Sequence, residues 1–309
     1  MIYLAPLQGF TDFVYRAAHA AVFNSIDAYF IPYISLKHNK ILPKYFREIS
    51  PQNNRQMRVV PQVLAKDGNE LALMAKQLLD LGYAEINLNL GCPYPMVTNR
   101  GKGAGLLATP AKVNEILERF FSTSEGELSV KLRSGLQSDS ELSSVIDVLN
   151  QFPIKEVIYH PRVASQLYSG EIDENAYLFA SQQLKHRLVY NGDIFSVKTY
   201  TEKNEMFLQT SDWMLGRGVL MNPLLPNEIM GVQLSKEKRD SLLFLFHKYV
   251  LEGYLEAMDN EGNALNKMKQ FWIYFSHRFP AHKKVFKLVK KAKDMNKYQS
   301  VIRTAFDQL

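Results

Sequence analysis

Short runs rich in β-branched and aromatic residues recur along the chain, each followed by a Gly, Pro, Asn or Asp turn and then, in most cases, a stretch of helical period. The eight runs are residues 2 to 6 (IYLAP), 27 to 32 (DAYFIP), 58 to 64 (RVVPQVL), 84 to 90 (AEINLNL), 128 to 133 (LSVKLR), 156 to 160 (EVIYH), 188 to 192 (LVYNG) and 212 to 216 (DWMLG). Between them, residues 68 to 82, 110 to 121 and 139 to 152 place apolar side chains near i, i+3, i+4 and i+7, the period of an amphipathic helix. Strands apolar on both faces and separated by crossover helices belong to parallel sheets, and eight such units in about 220 residues predict a (β/α)8 TIM barrel of the α/β class. The competing architecture is an open doubly wound sheet, which carries a glycine fingerprint after its first strand; here that turn reads APLQGFTD.

From about residue 235 the strand signal stops, and four helical patterns follow, joined by short polar turns. The expected organisation is a barrel over residues 1–234 and an all-helical domain over 235–309. In the third terminal helix Val285, Leu288, Val289 and Ala292 predict a buried stripe, leaving Lys283, Lys284, Lys287, Lys290 and Lys291 on a basic face.

Charge sharpens this division. Residues 235 to 309 hold 15 Lys/Arg against 8 Asp/Glu, whereas the first 234 hold 22 against 23. Such asymmetry points to a polyanionic partner or to a solvated lysine face. The rest of the composition, 46% hydrophobic and 22% charged over 309 residues, is that of a globular protein with a substantial core. The N-terminus lacks a basic segment ahead of its apolar residues, and no run approaches the roughly 20 apolar residues that cross a bilayer, so a cytoplasmic protein is expected. A single cysteine excludes an internal disulfide, and no His/Cys spacing suggests a metal site.

In such a barrel the reactive groups gather at the C-terminal ends of the strands. Taken in order, those ends offer Pro6 and Leu7, then Gln62, Asn89 and Cys92, Lys131 and Arg133, His160 and Arg162, the turn Asn191-Gly192-Asp193, and the turn Gly216-Arg217-Gly218. Glycine turns after the seventh and eighth strands let backbone N–H groups approach a phosphate, and an arginine adds a planar fork for its oxygens. Lys131 and His160, on adjacent strands, converge on one space, where a cation stabilises negative charge on a reduced ring or an enolate. These residues alone leave open an enzyme acting on RNA, a flavin barrel acting on a free pyrimidine such as dihydroorotate, and an RNA-binding protein without catalysis.

The segments APLQGFTD, PQVLAKD, INLNLGCPYPMVTNRGKGAGLL, VKLRSG, HPRVASQLYSG, YNGDI and MLGRGVLMNP resemble, in order and spacing, the motifs of the flavin-dependent tRNA-dihydrouridine synthases. KMKQFWIYF in the terminal region is similar to that family's helical-domain motif, and the QLYSG and C-terminal patterns resemble its B and C branches, the tail leaning to C. The resemblance implies an FMN-binding barrel with a helical tRNA-binding domain, a monomer that reduces the C5=C6 bond of a uridine in tRNA with electrons from NADPH or NADH. It places FMN against Pro6, Leu7, Gln62, Lys131 and His160, with its phosphate at Asn191, Gly192, Asp193, Gly216 and Arg217. It assigns Asn89, Arg133 and Arg162 to the substrate nucleotide, Lys267, Lys269, Lys283 and Lys287 to the tRNA, and the proton donor to Cys92. Two positions depart from the common pattern: Leu7 stands where Met is frequent, and Pro161 stands where Gly is frequent, removing a backbone donor.

The implied chemistry is self-consistent. Hydride addition at C6 of uracil leaves enolate-like charge on C5 and O4, and an acid must then protonate C5. An ordinary thiol, with a pKa of about 8.5, is mostly protonated at neutral pH and able to donate. A base stacked in folded RNA must be extruded to reach such a site. The long segment 33 to 58, expected to be a loop, adds six basic residues (Lys37, Lys40, Lys44, Arg47, Arg55, Arg58) against Glu48 as a second RNA-facing surface.

Overall fold

The computed structural model describes all 309 residues. Its strands are β1 (Ile2–Leu4), β2 (Ala28–Ile34), β3 (Val59–Val63), β4 (Glu85–Leu90), β5 (Glu127–Gly135), β6 (Glu156–Val163), β7 (Arg187–Tyr190) and β8 (Asp212–Leu215). They pair in parallel and close into an eight-membered barrel, so the TIM-barrel expectation holds. The principal helices are α1 (Phe13–Phe23), α2 (Gly68–Asp80), α3 (Pro110–Thr123), α4 (Glu141–Leu149), α5 (Glu174–Gln183), α6 (Val197–Met206), α7 (Lys236–Ala257), α8 (Glu261–Phe275), α9 (His282–Lys291) and α10 (Met295–Phe306).

Local chemistry explains the boundaries. Asp67 caps α2 by accepting from the Glu70 amide at 2.8 Å, and Leu71, Met74, Ala75 and Leu78 of that helix have no solvent exposure. Alternate residues of each barrel strand face opposite ways: Tyr159 of β6 points out and stacks on Tyr177 of α5, whereas Ile158 and His160 share the inner side with their β5 partners Lys131 and Arg133.

By contacts the chain divides into two compact units. The first comprises Met1–Pro6, Asp27–Gly192 and Asn204–Met214, the second Leu7–Ile26, Asp193–Lys203 and Leu215–Leu309. The second unit joins α1 to the terminal helices: a Cβ on Gly253 of α7 would lie 2.7 Å from Val14, so the bare glycine allows that close approach. Its core is aromatic, built on Phe246, Phe271, Trp272, Phe275 and Phe279. His247 is a satisfied core residue: the Trp272 indole donates to the Tyr298 oxygen at 2.8 Å, and the Tyr298 hydroxyl meets His247 Nε2 at 2.7 Å, while burial lowers the histidine pKa to about 3.

Two expectations need correction. Segment 33 to 58 is not a plain loop; it holds a two-stranded hairpin (Leu36–Lys37 with Lys40–Ile41) and short helical turns at Pro43–Tyr45, Phe46–Ile49 and Pro51–Asn54. Leu288 is not part of the buried stripe of α9: it is 44% exposed, while Val285, Val289 and Ala292 are buried, because a helix this short seals only the narrow line facing its neighbours. All five α9-region lysines are exposed. No helix is long and apolar enough to cross a membrane, and no group of three or more His, Cys, Asp or Glu residues is placed to hold a metal ion.

Candidate active site

A chain of hydrogen-bonded side chains runs through the barrel interior from Ser129 and Asn87, in the first half of β5 and β4, to Gln62 and Asn89 near the C-terminal ends of β3 and β4. Ser129 Oγ accepts from Asn87 Nδ2 at 3.0 Å, Asn87 Oδ1 accepts from Gln62 Nε2 at 2.7 Å, and Gln62 Oε1 accepts from Asn89 Nδ2 at 2.6 Å. Asn89 Oδ1 then accepts the amides of Gly91 at 2.9 Å and Cys92 at 2.8 Å. Each amide is thereby fixed in one orientation, and the last bonds anchor the turn that carries the thiol. Asn89 thus acts from beneath Cys92.

A second clamp comes from the segment after that turn. The Ala104 amide donates to the Cys92 carbonyl at 3.1 Å, and Gly103 sits at φ 57°, where a Cβ would lie 2.9 Å from the Cys92 Cβ. Only glycine fits there. Cys92 is 7% exposed and packs with Leu64, Val97 and Tyr33. Burial pushes its thiol pKa up, opposed by the Tyr94 amide, the Arg133 charge, a hydrogen bond with the Tyr33 hydroxyl and the Lys131 charge. The thiol therefore stays protonated at neutral pH and able to act as an acid.

Two nitrogen groups face the same end of the barrel. Lys131 pairs in register with Asn89 on one side and Ile158 on the other, and forms no hydrogen bond or ion pair within the protein. Burial, then repulsion from Arg133, lowers its pKa to about 7, with only the Cys92 sulfur acting the other way. His160 pairs with Arg133, and its Nδ1 lies 2.5 Å from the Asn191 carbonyl. A carbonyl only accepts, so Nδ1 carries the hydrogen and Nε2 presents a lone pair; Nε2 is buried without a partner. Burial and the charges of Arg133 and Lys131 push the His160 pKa well below its ordinary value, so the ring is neutral.

Arg133 and Arg162 both contact the segment that follows β6. β6 continues through Pro161 to Val163, so His160 and Arg162 lie on the strand rather than after it. Arg162, 2% exposed, donates to the Gly170 carbonyl at 2.6 Å. Arg133 donates to the Val163 carbonyl at 3.1 Å and lies 5.2 Å from the centre of the Tyr168 ring. Between these anchors Leu167 adopts φ 51°, a strained value for a branched side chain, and is 43% exposed. Pro161 has no backbone donor, and its carbonyl accepts the Asp173 amide at 2.9 Å.

The remaining expected positions fall as follows. Pro6 is half-buried just past β1. The Leu7 amide donates to Thr11 Oγ1 at 2.8 Å, closing the turn into α1. Asn191 Nδ2 donates to the Met214 carbonyl at 2.7 Å, and a Cβ on Gly192 would lie 2.1 Å from the Tyr190 hydroxyl oxygen, so that turn requires glycine. Gly216 directly precedes Arg217, which pairs with Asp193 at 2.6 Å and lies 5.3 Å from the Phe195 ring centre. The Asp193 carboxylate thus holds the Arg217 guanidinium. Lys267 stands apart from the other lysines, its ammonium 3.1 Å from Asp12, the cap of α1; Lys269 is half-buried, and Lys283 and Lys287 are exposed. Sequence reasoning passed over Tyr33, Asn87, Gly103, Ser129 and Tyr168. For Asn87 the signal was present: in a strand, residues 87 and 89 face the same side.

Comparison with known proteins identifies the family. The profile of the family described as dihydrouridine synthase (Dus) matches residues 3–308. The tRNA-dihydrouridine(16) synthase of Neisseria meningitidis serogroup B is 24% identical, the match covering 97% of this chain and 93% of that protein. Its counterpart in Escherichia coli O157:H7 is 26% identical over 94% of this chain and 93% of that protein, and the tRNA-dihydrouridine synthase B of Pasteurella multocida is 29% identical over 53% and 49%. The fold is similar to that of the old yellow enzyme homologue from Zymomonas mobilis, with a TM-score of 0.57 at 11% identity over 76% of this chain and 90% of that one. With a family match over nearly its whole length, the chain belongs to the dihydrouridine synthase family, on the side of its B and C branches, and is a flavin-dependent oxidoreductase that makes dihydrouridine in tRNA.

Proposed function

We propose that the flavin is FMN, that NADPH is the electron donor, and that Cys92 protonates C5 of a uridine at position 16 of tRNA. The observation that carries this reading is the meeting, at one barrel end, of a protonated thiol, an unpaired lysine and an open histidine lone pair. An orphaned buried Nε2 and a buried cation without a counterion suit a polar ring that gains electron density, so the residues fit a flavin. FMN, when bound, supplies the hydride.

The chain's own residues do the rest. Lys131, able to hold a charge near neutral pH, stabilises negative charge at this end of the barrel. Asn89, through its bonds to the Gly91 and Cys92 amides, keeps the thiol in one place. Cys92 delivers its proton to C5 of the uracil and is left as a thiolate, which the Arg133 and Lys131 charges and the Tyr94 amide favour. Arg162 acts on substrate through the loop it braces, and the exposed lysines of α9 meet the RNA backbone. Asn191, Gly192, Gly216 and Arg217 are assigned to the FMN phosphate, with Asp193 orienting Arg217. The enzyme works as a cytoplasmic monomer. Position 16 rests on the printed activity of the relatives that match over nearly their full length.

The test is a nucleotide-resolved map of dihydrouridine in tRNA from cells lacking this protein. Loss at position 16 is expected; loss elsewhere would move the target, and an unchanged map would overturn the reading. Purified protein is expected to be yellow and to release FMN on heating.

A further inference from the structure

A cleft of about 600 Å³ opens in the second unit, bounded by Val197 at the start of α6, the short helix Leu225–Ile229, the segment leading into α7 and the turn after α8. Two arginines line it, Arg239 from the first turn of α7 and Arg278 from the turn after α8. Each has its Nε buried without a hydrogen-bond partner, as is Oδ1 of Asn227 in the same lining. No carboxylate pairs with either arginine. Glu228, the one acid in the lining, accepts instead from Asn222 Nδ2 at 2.8 Å.

Such an arrangement is unfavourable on its own. Two like charges share a cleft, each with a desolvated donor unfilled, and Arg239 stands at the positive end of a 22-residue helix, where a cation is disfavoured. An anion reverses every one of these terms. Guanidinium forks match phosphate oxygens in spacing and plane, and the cleft is several times larger than a phosphate needs. Val197, Leu224, Val232 and Leu234 give the remaining space an apolar wall suited to the face of a base or ribose.

We propose that this cleft seats one nucleotide of the tRNA strand, its phosphate on Arg239 and Arg278, as an anchor separate from the uridine that is reduced. The proposal rests on the tRNA reading above. A phosphate of this kind could also belong to a free dinucleotide, so the test has two arms. In the first, anisotropy of labelled tRNA on flavin-loaded enzyme is followed across a KCl series. The Arg239→Gln/Arg278→Gln pair is expected to weaken binding by about 10- to 100-fold and to reduce the log–log salt slope by about one to two. The Arg239→Lys/Arg278→Lys pair keeps the charge and loses the fork, so it is expected to weaken binding by about three- to tenfold with the slope retained. In the second arm, NADPH-driven bleaching of the flavin without tRNA is expected to be unchanged in both.

Unchanged tRNA affinity in either pair would overturn the proposal, as would a defect confined to NADPH reduction. Should the glutamine pair fail to fold, the lysine pair decides by itself. A wild-type enzyme that binds no tRNA would overturn the parent reading, whereas wild-type binding with indifferent variants would overturn only this anchor.

Discussion

The two ends of the barrel treat buried charge in opposite ways. At the N-terminal end every cation has a counterion: the Met1 ammonium lies 2.8 Å from Asp212, Arg187 Nε donates to Asp212 at 2.6 Å, Arg58 reaches Glu85 at 3.0 Å, and Lys155 reaches Glu85 at 2.7 Å and Glu127 at 2.6 Å. Tyr3 completes the layer, donating to Glu156 at 3.0 Å. At the C-terminal end Lys131 has no carboxylate partner, Arg133 lies beside it with the Tyr168 ring as its neighbour, and the lone pair of His160 Nε2 has no hydrogen-bond partner. One end closes the barrel with matched pairs. The other leaves Lys131 without a counterion and His160 Nε2 without a hydrogen-bond partner, the arrangement the proposed flavin site would use.

This contrast makes ordered predictions. The largest effect belongs to Cys92→Ala, expected to lower dihydrouridine formation by about 10²- to 10⁴-fold, the range of a lost general acid, while flavin binding persists. Turnover by the flavin-loaded variant measures it. Lys131→Met follows, with a rate loss of about 10²-fold, as for one lost electrostatic stabiliser. Its stability should move the other way. The folded-state pKa of Lys131 is lowered to about 7, so its charge opposes folding fully below that pH, and stability rises as pH climbs from about 7 toward the ordinary lysine value. Urea midpoints across that window should lose this slope in the variant.

At the opposite end, Asp212→Asn should destabilise by about 2 kcal/mol, a value below that for a fully buried pair because Arg187 is 36% exposed. Activity per folded molecule should be nearly unchanged. Burial works against the Asp212 carboxylate, but Arg187, the N-terminus and Ser211 outweigh it and lower its pKa to about 2. Its contribution is therefore present above the unfolded carboxylate value and lost as pH falls through about 2, and acid melts of the variant should lack that segment. The smallest effect is expected for Tyr33→Phe: about three- to tenfold in rate, in line with one hydrogen bond to the thiol.

The barrel was legible because strands such as Ile86 to Leu90 and Val157 to Tyr159 are buried on both faces, which writes unbroken apolar or alternating-asparagine runs into the sequence. Cys92, Lys131 and His160 were legible because strand ends converge by topology. Neither Tyr33 nor the clamp of Gly103 on Cys92 was, since both arise from contacts between segments far apart or beyond a turn. The hairpin at Leu36–Lys37 and Lys40–Ile41 escaped for another reason: two-residue strands around His38 and Asn39, both at positive φ, leave no periodicity to read. Arg162 and Lys267, which the resemblance assigns to RNA, also take part in contacts within the protein that the sequence does not show, one with the Gly170 carbonyl and the other with Asp12.

The role of the thiol is tested most directly by mixing pre-reduced enzyme with unmodified tRNA and following the return of oxidised-flavin absorbance, alongside dihydrouridine counted by mass. Wild-type enzyme should reoxidise and yield one dihydrouridine per flavin. Cys92→Ala should accept electrons from NADPH at the wild-type rate yet form dihydrouridine at least about 10²-fold more slowly. Equal formation by the two proteins would contradict a proton-donating Cys92.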